Sequence, residues 1–123
     1  MNGNNISPAI SVIMGVYNQN NSIELMQAVN SILVQSFSDF EFIICDDGSD
    51  AESAYYIRDL STTDPRIRVL RNETNNGLAF SLNQCISVAR GKYLARMDAD
   101  DISLPDRLLK EYNWLEAPPE YDW

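Results

Sequence analysis

The sequence predicts an α/β domain of three layers, in which a mainly parallel sheet lies between layers of helices. Its 123 residues, 45% of them hydrophobic, suit one domain with one core. Apolar runs of strand length alternate with segments whose apolar residues recur at helical spacing. The first run, ISVIMGV, is continuous rather than alternating, which is typical of parallel strands buried on both faces.

Four strands are predicted from apolar runs that end at turn residues. Residues 10–16 form the first strand. FEFIIC at 40–45 forms the second, which ends at the turn chemistry of DDGS. A short run at 67–70 follows an Asp-Pro break, and the fourth strand covers 93–97.

One helix is predicted after each strand. The first has Ser22 as its N-cap, the second covers 51–61, the third has Gly91 as its C′ glycine, and Pro105 lies in the first turn of the fourth. The apolar stripes are Leu25, Met26, Val29, Ile32 and Leu33 in the first helix, Leu78, Leu82, Cys85, Ile86 and Ala89 in the third, and Leu108, Leu109, Tyr112 and Leu115 in the fourth.

This alternating order predicts where a ligand binds. Helices between buried strands imply parallel pairing through right-handed crossovers, and such sheets bind ligands outside the carboxyl ends of their strands. Polar residues follow three of those ends, so we expect them to meet along one edge of the sheet. They are Tyr17 and Asn18, then Asp46 and Asp47, then Asp98, Ala99 and Asp100.

The carboxylates at this edge predict a cation site. If no cation were bound, they would raise one another's pKa values and destabilise the edge. Carboxylate oxygens are the ligands that Mg²⁺ and Mn²⁺ prefer, together with phosphate oxygens. The alternative is a solvated turn, because Asp-rich turns are common and one Asp-x-Asp is weak evidence. The carboxylates concerned are Asp46, Asp47, Asp98, Asp100 and Asp101.

Composition argues against several functions. Nine basic and 18 acidic residues give a net charge of −9, which disfavours nucleic-acid binding. Histidine, the usual general base, is absent from the sequence. Cys45 and Cys85 are interpreted as small buried residues in a reducing compartment. We recognise no signal peptide and no membrane-length apolar run, so we expect a cytoplasmic chain with residues 1–8 as a disordered tail.

Four stretches carry a resemblance to a known family. They are ISVIMGVYN at 10–18, SILVQSFSDFEFIICDDGS at 31–49, NNGLAFSLNQCI at 75–86 and GKYLARMDADDISLPDRL at 91–108. In this order and spacing, the chain resembles the N-terminal half of family 2 glycosyltransferases. The resemblance implies the A-type glycosyltransferase fold, which is Rossmann-like and of the nucleotide-diphospho-sugar transferase type, here truncated after the Asp-x-Asp motif.

The resemblance also implies a nucleotide-diphosphate-sugar donor, with a UDP-sugar expected. Tyr17 would stack on the base, Gly15 would line the same pocket, and Asp47 would bond the uracil ring. The nucleotide-binding residues expected from the family are Gly15, Tyr17, Asn18, Asp47, Asn76, Gly77, Asp98 and Ala99.

Mn²⁺ or Mg²⁺ is the cofactor that the resemblance implies. Asp98 would contact the ribose or the metal, and Asp100 would bind the metal at the diphosphate. Many family members have an arginine where this chain has Leu82, so that phosphate contact is absent.

For the whole enzyme, the resemblance implies transfer of a hexosyl-type sugar, with inversion, to a glycan or lipid-linked acceptor. The general base is expected beyond Trp123, so no catalytic residue is assigned here and the isolated chain is expected to be inactive. The full-length enzyme could act at the inner face of a membrane.

Two alternatives stay open. A Mg²⁺-binding signalling receiver domain is also a parallel α/β unit, but its acidic pair would follow the first strand, where this chain has Tyr17 and Asn18. The other alternative is a folded fragment without activity. Its exposed sheet edge would favour self-association.

Overall fold

The computed structural model describes residues 7–19 and 21–117, and in this part of the chain all strand pairs are parallel. The strands are β1 (Ile10–Val16), β2 (Phe40–Asp46), β3 (Ile67–Arg71) and β4 (Tyr93–Arg96), in the spatial order β3-β2-β1-β4. The helices are α1 (Ser22–Leu33), α2 (Ala51–Asp59), α3 (Leu78–Val88) and α4 (Arg107–Leu115), and a 3₁₀ turn at Leu60–Thr62 extends α2. The predicted α/β fold class and parallel sheet are confirmed.

Alternation along the central strands distributes the helices over two faces of the sheet. Every second residue of β1 and β2, such as Val12 and Phe42, packs into a core that includes side chains of α1, α2 and α4. The intervening residues, such as Ile13 and Ile43, pack against α3 instead. Consecutive residues at the end of a strand therefore face different helices.

Both cysteines lie in the smaller core beneath α3. Cys45 of β2 and Cys85 of α3 are buried and are not joined by a disulfide. A hydrogen bond with Cys45, together with burial, raises the pKa of Cys85. The interpretation of both residues as small buried side chains is confirmed.

Several helix ends differ from the prediction. Asn21, not Ser22, caps α1, because its Oδ1 atom accepts the amide of Glu24 at 3.0 Å. The second helix tightens into a 3₁₀ turn after Asp59, where Thr62 and Thr63 donate their hydroxyls to carbonyls three residues earlier. Such local bonds compete with regular helix geometry.

The third and fourth helices also differ at their boundaries. Backbone of extended conformation at Ala89 ends α3, so Gly91 is not its C′ residue. Gly91 is instead pressed against β1: an added Cβ would lie 2.5 Å from the backbone nitrogen of Ser11. Pro105 precedes α4, which begins at Arg107.

The edges and ends of this fold bear on two further predictions. Among the described residues, β3 and β4 each pair on one side only, and self-association through such an edge stays a prediction.

Residues 1–6 of the predicted tail lie outside the described residues. Ser7 and Pro8 have no regular secondary structure.

Within residues 7–19 and 21–117, none of the helices combines the length and the apolar character needed to cross a bilayer.

Candidate functional site

A pocket of about 210 Å³ opens at the carboxyl ends of β1 and β2, beside the first turn of α3. The register pairs Val16 with Asp46, so the two strand ends lie side by side. Four residues predicted from the sequence meet in this pocket: Gly15, Tyr17, Asp47 and Gly77. The other lining residues are Val16, Asn75, Leu78 and Ser81.

Two features of β1 shape the pocket. The side chain of Tyr17 is 51% exposed, so its ring offers a face to a ligand. Gly15 lies where α3 approaches the strand, and an added Cβ would be 2.8 Å from Cδ1 of Leu78. A glycine at this position therefore lets the helix pack closely without filling the pocket.

Asp47 is the one carboxylate among the residues that line the pocket, and it is only 3% exposed. Its Oδ1 atom accepts Nδ2 of Asn72 and the amide of Asn76, both at 2.9 Å. Its Oδ2 atom accepts the amide of Gly77 at 2.8 Å and Nδ2 of Asn75 at 3.1 Å. Burial alone would raise the pKa of Asp47, but these donors outweigh it and hold the pKa below the ordinary value of 3.8.

The start of α3 is built to hold this carboxylate. Gly77 is the N-cap residue with φ of 96°, a conformation that favours glycine, and its amide points at Asp47. The exposed residue Asn76 contributes its backbone amide. A negative charge at the first turn of a helix also interacts favourably with the helix macrodipole.

Asn72 belongs to the site but was not predicted. It is buried, and its Nδ2 atom also lies 3.0 Å from Oγ of Ser81. It follows β3 directly, just as Asp47 follows β2. The rule that polar residues gather at strand ends would have found it, had it been applied to the third strand as well.

Asn18 does not line the pocket, although it was predicted beside it. Its φ of 48° turns the chain after β1. Its amide donates to Oγ of Ser49 at 2.9 Å, and its Oδ1 accepts the amide of Asp50 at 2.8 Å. Asn18 therefore joins the end of β1 to the start of α2.

Asp46 and Asp47 do not share a site, because consecutive strand residues face opposite sides of the sheet. Asp46 is buried, forms an ion pair with Arg71, and accepts the amide of Ser49 at 2.9 Å. In the described part of the chain, no three His, Cys, Asp or Glu residues are grouped to hold a metal. The predicted convergence of five carboxylates is therefore wrong.

The remaining predicted residues lie in the loop that follows β4. Asp98 and Asp100 are exposed, Ala99 is half-buried, and Asp98 lies 3.2 Å from Nη2 of Arg96. Because β4 pairs with β1, this loop begins at the same edge of the sheet as the pocket. Two exposed carboxylates fit a partial ligand set for Mg²⁺ or Mn²⁺, which usually takes further oxygens from phosphate and water.

Two side chains that the sequence did not reveal hold this loop. Gln35 is buried, donates to the carbonyl of Leu104 at 2.6 Å and accepts the amide of Leu108 at 2.9 Å. Arg107 donates to the carbonyl of Arg96 at 2.8 Å. Gln35 also donates to the carbonyl of Ser31 at 3.0 Å, but nothing in the local sequence pattern marks its bonds to Leu104 and Leu108, which lie about seventy residues away.

The lowered carboxylate pKa values predict the response to acid. The pKa of Glu41 lies below its ordinary value of 4.5, because hydrogen bonds from Ser11 and Arg90 outweigh the effect of burial. Side-chain hydrogen bonds from Arg66 lower the pKa of Asp64 as well. The pKa values of Glu41, Asp64 and Asp47 are lower in the folded state than in the unfolded state. These groups therefore stabilise the protein at pH values above their unfolded-state pKa values, and this contribution is lost as the pH falls through their folded-state pKa values.

We therefore expect the free energy of unfolding to stay level down to about pH 5 and to decline progressively below it. Urea unfolding at a series of pH values checks this. The variant Glu41→Gln should show a shallower decline in acid than the parent chain, and equal slopes would contradict the role given to Glu41.

Comparison with known proteins identifies the family. Residues 11–122 match the family model described as glycosyl transferase family 2. EpsE of Bacillus subtilis (strain 168), whose name describes a glycosyltransferase, is 42% identical over 118 residues, which cover 95% of this chain and 42% of EpsE. The chain spans less than half the length of the curated relatives it matches.

Solved structures of A-type glycosyltransferases share the fold. A mannosyltransferase from Pyrobaculum calidifontis, PcManGT in complex with GDP-Man and Mn²⁺, has a TM-score of 0.79 at 23% identity and covers 93% of this chain and 34% of its own. S. aureus TarS 1–349 in complex with UDP-GlcNAc has a TM-score of 0.75 at 25% identity and covers 87% and 31%. The match of the family model over nearly the whole sequence shows that the chain belongs to glycosyl transferase family 2.

Proposed function

We propose that this chain binds the donor of an inverting, hexosyl-type glycosyltransferase that moves a sugar from a UDP-sugar to a glycan or lipid-linked acceptor. The observation that carries the proposal is the pairing of the exposed Tyr17 ring with the ionised Asp47 carboxylate in one pocket at the carboxyl ends of the strands. A nucleotide base offers a flat face and a polar edge, which these two groups complement. TarS and PcManGT, which share the fold, bind nucleotide sugars.

The bonds of Asp47 indicate how a base would enter. The four donors already fill the lone-pair positions of the carboxylate. The contact from Asn75 is the longest of them, and Asn75 is exposed. We therefore propose that an N–H group of the base takes the place of the Asn75 amide. The pocket volume suits a single ring, so the rest of the donor would extend beyond it.

The diphosphate and the metal would lie at the loop after β4. Asp98 and Asp100 would hold Mn²⁺ or Mg²⁺. A bound metal ion of this kind would neutralise the negative charge of the departing nucleotide diphosphate. The complex of PcManGT contains Mn²⁺. The backbone around Ala99 would face the nucleotide in this arrangement. Gln35 holds the loop through the carbonyl of Leu104, and Arg107 bonds the carbonyl of Arg96 at the end of β4, where the loop begins.

The general base is the part of the reaction that we place outside this chain. Inverting transfer requires a group that deprotonates the acceptor hydroxyl. Asp47 is engaged by four donors, and Asp98 and Asp100 are assigned to the metal. We therefore expect the chain alone to bind a donor without turning it over. The receiver-domain alternative is not favoured, because the chain belongs to glycosyl transferase family 2.

Titration with UDP, with and without Mn²⁺, tests the proposal. We expect Mn²⁺ to tighten UDP binding by about tenfold, equivalent to roughly 1.4 kcal/mol, as measured by calorimetry. In Asp100→Ala this enhancement should disappear, whereas binding of uridine, which has no phosphate, should be unchanged.

Asp101→Ala is the matched control, since Asp101 is an adjacent exposed carboxylate that the present proposal does not assign to the metal. It should keep the full effect of Mn²⁺. UDP binding that is absent with and without metal would leave only the inactive-fragment alternative. An equal loss in the Asp101 variant would contradict the assignment of the metal to Asp100.

A further inference from the structure

A second cleft, of about 760 Å³, runs along the edge strand β3 and the adjoining side of α2. We call it the arginine cleft, because Arg58, Arg68 and Arg71 all line it. It meets the carboxyl edge of the sheet at Asp46. Asp47 lines the other pocket, described above at the ends of β1 and β2, which we call the donor pocket. The other lining residues are Ala51, Ala54, Tyr55, Ser61, Ile67 and Val69.

Two of the three arginines of this cleft, Arg58 and Arg68, differ from most of the other basic residues in having no carboxylate partner. All nine Lys and Arg residues lie in the described part of the chain, and six of them form an ion pair with a carboxylate. Of the three basic side chains without such a pair within the described ranges, Arg58 and Arg68 line the arginine cleft, and the third is Lys110.

A shortage of acidic residues does not explain these unpaired arginines. The sequence has 18 acidic residues and only nine basic ones. Asp46 is the one carboxylate among the lining residues, and it is 2% exposed and already engaged by Arg71. The cleft thus presents uncompensated positive charge on a protein of net charge −9, which an anion would relieve.

The residues of the cleft indicate the chemistry of its ligand. Guanidinium groups bind carboxylate and phosphate through paired N–H donors. Tyr55 is 59% exposed, and its ring offers an apolar surface in the same cleft. The volume is far larger than a single ion requires, so a matching ligand carries anionic groups on a larger framework.

We propose that the arginine cleft binds an acidic glycan, with saccharide carboxylates at Arg58 and Arg68 and a sugar ring against Tyr55. The choice of a glycan rests on the proposed function, because a glycosyltransferase handles an acceptor or product chain. Since the cleft begins at the carboxyl edge, a bound glycan would lead away from the donor pocket along β3.

The test is NMR titration of the isotopically labelled chain with a hexasaccharide in which glucuronate alternates with N-acetylglucosamine. We expect shifts at the amides of Tyr55, Arg58 and Arg68 that weaken as the ionic strength rises. The double variant Arg58→Ala/Arg68→Ala should bind about tenfold more weakly, since both charge-assisted contacts are lost. The matched control Lys110→Ala, which removes the third unpaired cation, should bind as the parent does.

Three results would overturn the proposal: equal binding of the neutral hexamer of N-acetylglucosamine, equal shifts with inorganic phosphate alone, or an equal loss in Lys110→Ala. UDP titrated into the same samples separates this proposal from the proposed function. Glycan binding without UDP binding would leave the cleft standing and remove the donor site. UDP binding without glycan binding would do the reverse.

Discussion

Replacement of Asp47 by alanine is expected to abolish UDP binding and to lower the free energy of unfolding by about 3 kcal/mol. The buried carboxylate accepts four hydrogen bonds. Once it is removed, water cannot replace it as the acceptor for all of three of these donors. They are the side chain of Asn72 and the amides of Asn76 and Gly77. A buried donor without a partner costs about 1–3 kcal/mol, so the loss of this carboxylate should rank among the largest single effects in the chain.

Urea unfolding and UDP calorimetry together measure this prediction. Asn75→Ala is the matched control, because it removes the exposed fourth donor to the same carboxylate. It should cost less than about 1 kcal/mol in stability, and it should retain or strengthen UDP binding, since the base no longer displaces an amide. If Asp47→Ala unfolds as easily as Asn75→Ala, the carboxylate does not hold the loop. If Asp47→Ala still binds UDP, the base is recognised elsewhere.

Substitution of Gly48 by alanine is expected to destabilise the protein by about 3 kcal/mol or more. Gly48 has φ of 77°, which costs a residue with a side chain about 1–2 kcal/mol. An added Cβ would also lie 2.5 Å from the carbonyl carbon of Thr74 and 2.7 Å from the backbone nitrogen of Asn75. Both neighbours are backbone atoms, so the loop before α3 would have to move.

Gly77→Ala is the matched control for this substitution. Gly77 also has positive φ, of 96°, but an added Cβ there would meet nothing within 4 Å. Its cost should be the conformational one alone, about 1–3 kcal/mol, because φ of 96° with ψ of 160° lies in a region that is essentially restricted to glycine. Urea unfolding midpoints compare the two variants, and a smaller loss in Gly48→Ala than in Gly77→Ala would contradict the contribution given to contact with the loop. Weaker UDP binding by Gly48→Ala is also expected, since the displaced loop carries the donors to Asp47.

The sequence predicts the strands and the edge at which the pocket lies. The predicted bounds of β1 match the structure, and those of the other strands differ by one residue. Strand prediction succeeds here because continuous apolar runs and their turn residues are local signals. The same signals placed Tyr17 and Asp47 at one edge of the sheet, and the family resemblance added Gly15 and Gly77; all four residues line one pocket.

Features that depend on distant contacts could not be read in this way. Gly91 looks like a helix-ending glycine in the sequence, but its close neighbour is Ser11, eighty residues earlier. Gln35 has no local signature for holding the loop, because Leu104 and Leu108, which it bonds in addition to Ser31, become neighbours only after folding. The five-carboxylate prediction failed for a different reason: it grouped Asp46 with Asp47 without applying the alternation of side chains that the strand itself requires.

This alternation restricts how the sequence can change in length. Asp46 forms an ion pair with Arg71 on one face of the sheet, and Asp47 accepts a hydrogen bond from Asn72 on the other. Two consecutive residues therefore make contacts on opposite faces. Insertion or deletion of one residue within β2 would exchange the surroundings of both acids at once. Changes of two residues would keep each acid on its own face, so tolerated length variation in this strand should come in steps of two.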